Sequence, residues 1–90
     1  MAKIVEKVVK KTRYISVNRG GEEIYVENIS TTGDLRDCIP AGKLRLREIQ
    51  KIMPLGNWGL NIEEQCKGRN GETHYRIVDA QTGKIKESVL

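Results

Sequence analysis

Three cations alternate with two leucines over Lys43-Leu44-Arg45-Leu46-Arg47. As a strand this segment sets Lys43, Arg45 and Arg47 on one face at intervals of about 6.5–7 Å, close to the spacing of successive phosphates along a nucleic-acid strand. Lys10, Lys11 and Arg13 extend that basic surface if their strand lies alongside, and Tyr14 and Tyr25 supply rings of the kind on which bases stack. Lys and Arg also have a plainer use on an edge strand, which they keep from pairing with other chains.

Other groupings offer less chemistry. His74 is the single histidine and no Cys-x-x-Cys pair accompanies it, so no metal site is expected. Cys66 and His74 would make an activated thiol if they faced each other. A two-residue turn centred on Asn70-Gly71 instead puts Cys66 on the face of Tyr75 and Ile77, with His74 on the other. Glu63 and Glu64 point to opposite faces of a strand and cannot share acid–base work. Arg19-Gly20-Gly21-Glu22 lacks the length and the Lys-Ser/Thr of a phosphate-cradling loop. No catalytic residue and no cofactor are assigned, and the chain reads as a non-enzymatic binding module.

The elements that must hold these residues are marked by regular turn punctuation. Gly20-Gly21, Thr32-Gly33, Ala41-Gly42, Gly56-Asn57, Asn70-Gly71 and Thr82-Gly83 separate short runs rich in Val, Ile, Tyr and Leu. This predicts a mainly β, single-domain antiparallel barrel or sandwich of five or six strands over residues 1–90. The segment Ile4 to Val9 reads as a strand or an extended arm. A two-residue Gly20-Gly21 turn pairs Arg19 with Glu22, Val17 with Ile24, Ile15 with Val26 and Tyr14 with Glu27. Pro40-Ala41-Gly42 reads as a turn, and Leu46, Ile49, Ile52 and Met53 allow one short helix near 46–53. A last turn at Thr82-Gly83 pairs Ala80 with Ile85 and Asp79 with Lys86, closing a strand through about Ser88.

Composition sets the outer limits. Ninety residues with no Phe, one Trp and three Tyr give a thin aliphatic core that a homodimer interface could supplement. The net charge of +4 favours an anionic partner, either nucleic acid or an acidic protein surface. Glu6 and several lysines stand where a signal peptide needs an apolar run, and no segment approaches 18 apolar residues, so a cytoplasmic protein without membrane contact is expected. Cys38 and Cys66 then read as small buried hydrophobes rather than a disulfide.

One further pattern lies at Val26-Glu27-Asn28-Ile29-Ser30-Thr31-Thr32-Gly33. It resembles the Asp/Asn-x-Ser-x-x-Gly signature of PilZ domains, small β-barrels that bind cyclic di-GMP, and Ile39-Pro40-Ala41-Gly42 leading into Lys43–Leu46 is similar to a turn in that family. The resemblance implies a ligand site of Arg13, Asn28, Ser30 and Gly33. Of the family's upstream Arg-x-x-x-Arg stretch only Arg13 matches, with Val9 where the other arginine would stand.

Overall fold

The computed structural model describes residues 10–90, so the Ile4 to Val9 segment lies outside the described residues. The elements are β1 (Lys11–Arg19), β2 (Glu22–Ile29), a 3-10 turn (Leu35–Cys38), α1 (Ile39–Ile52), β3 (Trp58–Lys67), β4 (Thr73–Asp79) and β5 (Ile85–Val89). All five strands join one antiparallel sheet in the order β2-β1-β3-β4-β5. The mainly β expectation holds. The sheet is open, with β2 and β5 as its edges, and neither closes into a barrel nor packs on a second sheet; α1 and the 3-10 turn cover its apolar face instead. No helix among the described residues is long and apolar enough to cross a membrane.

Register arranges the covered face as rungs running across the strands. Ile15, Ile62, Val78 and Ile85 form one rung and Val17 faces Leu60 in the next. Together with Leu35 and Ala80, the residues Ile15, Val17, Leu60, Ile62 and Val78 make the buried core. Leu35 is held in it by a capping box. The Asp34 carboxylate accepts the Arg36 N–H at 3.1 Å, and Asp34 N–H donates to Asp37 Oδ2 at 3.2 Å.

The helix is longer than expected and corrects the strand reading of Lys43–Arg47. It takes in Pro40-Ala41-Gly42, because proline near a helix start forfeits an N–H that has no intrahelical partner there. Ile39, Gly42, Leu46 and Ile49 recur at helical spacing and turn toward the sheet, whereas Leu44 is 58% exposed. The alternation of Leu44 with Leu46 was therefore not a period-two signal. Gly42 lets α1 sit close, since a Cβ there would lie 3.0 Å from Ile62 Cδ1 and 3.2 Å from Leu60 Cδ2.

Three registers also differ from expectation. The Gly20-Gly21 turn pairs Arg19 with Glu22 as predicted, but a bulge beyond Asn18 and Glu23 shifts the rest, pairing Val17 with Tyr25, Ile15 with Glu27 and Tyr14 with Asn28. Tyr25 thereby reaches the core side, and Val26 is left 47% exposed on the other. The β4–β5 connection spans Ala80 to Lys84, so Val78 pairs with Ile85 and Ile77 with Lys86. It widens because the Asp79 carboxylate accepts N–H bonds from Gln81 and Thr82 while Asp79 N–H donates to Lys84 C=O. The third shift lies between β3 and β4 and shapes the site described next.

Candidate anion-binding site

The β3–β4 connection is five residues, Gly68 to Glu72, rather than a two-residue Asn70-Gly71 turn. Gly68 N–H donates to Glu72 C=O at 2.8 Å, and the Glu72 carboxylate accepts the Asn70 N–H at 3.0 Å, closing a wider loop. The register moves by one residue and every β4 side chain changes face. Cys66 is consequently paired with His74, Glu64 with Arg76 and Ile62 with Val78, while Tyr75 and Ile77 take the outer face. The expected separation of Cys66 from His74 is thus overturned.

Two polar rungs follow the apolar ones along the covered side. In the first, Arg13, Glu64, Arg76 and Glu87 stand in register. Arg13 Nε donates to Glu64 Oε2 at 2.6 Å and Arg76 Nε to Glu64 Oε1 at 2.9 Å; Arg13 is 2% exposed and Glu64 3%. Burial pulls the Glu64 pKa upward, but bonds and charge from Arg13 and Arg76 outweigh it and hold the carboxyl below its usual range. Burial likewise lowers the Arg13 pKa, and the hydrogen bond to Glu64 reverses that. The remaining Arg13 donors reach Thr32 C=O at 3.0 Å and Gly33 C=O at 2.7 Å, tying the loop after β2 to the sheet.

The second rung is Lys11, Cys66, His74 and Val89. It borders a shallow concavity of about 440 Å³ lined by Lys11, Glu64, Cys66, Arg69, His74 and Arg76, with Gly68 at its rim. Glu64 in that lining is shared by two guanidinium groups and the Glu72 carboxylate stands beside His74 at 3.5 Å, so Lys11, Arg69, Arg76 and the adjoining Arg13 outnumber the carboxylates around the concavity. Lys10 and Lys67 stand exposed at the same end, joined by a 3.0 Å bond from Lys67 N–H to Lys10 C=O. A larger hollow of about 510 Å³ lies where β4 leaves β3, bordered by Asn18, Lys43, Leu46, Trp58, Asp79 and Gln81.

The residues singled out from sequence are divided among these surfaces. Lys11 lines the cationic concavity, and Arg13 is buried beside it. Lys43, Arg45 and Arg47 ride on α1 instead of forming a strand stripe. Arg45 is bound by Glu27 at 2.7 Å and Glu48 at 2.8 Å, leaving Lys43 and Arg47 exposed. Tyr14 lies on the outer face, donating to Glu63 and accepting from Gln65, while Tyr25 lies on the covered face and donates to Glu27 at 2.6 Å. Of the PilZ-like set, Arg13 reaches the Gly33 carbonyl, but its guanidinium is buried and all three of its nitrogens are bonded within the domain. Asn28 is exposed opposite Tyr14 on the outer face, and Ser30 bonds Thr32 through its hydroxyl at 2.8 Å.

Arg69 and Arg76 were missed, and no periodicity marks them: they join Lys11 only through the odd-length loop. Family models, curated proteins and solved structures offer no match to this chain.

Proposed function

We propose that this domain is a non-enzymatic binding module that engages a polyanion, foremost the phosphates of single-stranded nucleic acid, at the end of the sheet bearing Lys10, Lys11, Arg69 and Arg76. The observation that supports it is the gathering of cations from β1, β4 and the β3–β4 loop around one hollow, where they outnumber the carboxylates Glu64 and Glu72. Side chains from three segments on a shared sheet form a preset cationic surface, which phosphates engage by releasing counterions. No Phe, Tyr or Trp lines that hollow, and His74 supplies its one ring, so binding is expected to depend chiefly on charge and to tolerate sequence change.

A fluorescence titration with labelled single-stranded RNA and DNA at several salt concentrations tests this reading. With three or four phosphates contacted, log affinity falls against log salt with a slope of about −2 to −3. Lys11→Ala and Arg69→Ala should each flatten it by roughly 0.7, while Lys43→Ala and Arg47→Ala leave it unchanged. Absence of binding at about 50 mM salt, where such contacts are strong, overturns the proposal.

A further inference from the structure

We infer that Cys66 and His74 form a reactive thiol–imidazole pair, and that the surrounding cations direct anionic disulfides to it for reversible mixed-disulfide formation. The pairing rests on register: Lys11, Cys66 and His74 are consecutive members of one rung on one face. Residues directly opposite in an antiparallel pair hold their Cβ atoms about 4.5–5.5 Å apart. All three side chains border the same concavity, which is open at its Lys11 and His74 rim. His74 Nε2 lies 3.5 Å from Glu72 Oε1, which sets a carboxylate beside the imidazole.

Each component has a task in thiol–disulfide exchange. The imidazole accepts the Cys66 proton, and the resulting thiolate attacks one sulfur of the incoming disulfide. The old S–S bond breaks as the Cys66–S–S bond forms, and the departing thiolate carries the electron pair and takes up a proton from the imidazolium. The disulfide is the oxidant, and the exchange is stoichiometric. Lys11, Arg69 and Arg76 attract a reagent bearing carboxylates, with Glu64 already committed to Arg13 and Arg76. Cys38 is the internal comparison: its sulfur accepts from Arg13 Nη1 at 3.8 Å, a contact that itself favours a thiolate, but no imidazole stands across from it to take the proton.

This inference shares the cationic concavity with the binding proposal, and its test separates the two. The full chain is treated at low salt with oxidised glutathione, which is anionic, and with cystamine, which is dicationic, and each adduct is placed by peptide mass mapping. The expected result is modification of Cys66 ahead of Cys38, about tenfold faster with oxidised glutathione than with cystamine, the gap closing as salt rises. In a Cys38→Ser background, His74→Ala should slow both reagents, whereas Lys11→Ala with Arg69→Ala slows the anionic one alone. Cys66 reacting no faster than Cys38, indifference to His74→Ala, or equal rates with the two disulfides overturns the inference. Nucleic-acid binding is measured separately on the unmodified chain: binding by a protein whose Cys66 proves inert removes the inference and leaves the binding proposal standing, and Cys66→Ser should bind as the unmodified chain does.

Discussion

Glu64 is a carboxylate 3% exposed and held by two guanidinium groups, one of which, on Arg13, is itself 2% exposed. Removing one partner from a buried pair costs more than the pair contributes, because the survivor stays desolvated. Arg13→Met should therefore destabilise the domain by about 3 kcal/mol, read as a lower midpoint in urea unfolding, with Arg76 limiting the loss. The pH dependence follows from the direction of the Glu64 shift. A carboxyl held below its ordinary pKa in the folded state contributes fully above roughly pH 4.3, its unfolded value, and that contribution fades as pH falls through the depressed folded value. Urea midpoints measured from neutral pH into acid should fall on the acid side, and Glu64→Gln should flatten that fall while lowering the neutral plateau.

Among the elements, α1 governs whether the sheet has an inside. Its approach depends on Gly42, where even an added Cβ would come closer to Ile62 and Leu60 than ordinary van der Waals contact. Gly42→Val should cost about 1–3 kcal/mol through overpacking, with faster amide exchange in β3 as a second readout. The same helix marks the limit of what the sequence disclosed. Turn residues announced the strands because glycine at positive φ is a local requirement, met at Gly20, Gly21, Gly71 and Gly83. The Lys43–Arg47 alternation misled because five residues fit both a period of two and a helix; only the wider stripe from Ile39 to Ile49 separates them. The cationic site was half legible. Lys11 was marked by its basic neighbours, but Arg69, Arg76 and the Cys66–His74 pairing depend on a one-residue shift of register in a wider loop, which Glu72 stabilises through side-chain and backbone bonds that composition does not reveal.

On the scale of the whole molecule, α1 and the 3-10 turn cover the apolar rungs, and the polar rungs lie beyond them at the open end. Charge-reducing substitutions there, Lys11→Ala and Arg69→Ala, should weaken nucleic-acid binding while moving the thermal midpoint little, because both residues are exposed and unpaired among the bonds described. Calorimetry beside the titration checks that separation. The strand order has a kinetic consequence. β1 pairs on one side with β2, its immediate successor, and on the other with β3, which arrives only after the helix. Three of the four strand pairings are local hairpins that nucleate alone, so joining the two halves requires closing the long loop between β1 and β3. Weakening that seam by Ile15→Val or Ile62→Val should slow refolding, whereas Ile85→Val at the edge should chiefly speed unfolding.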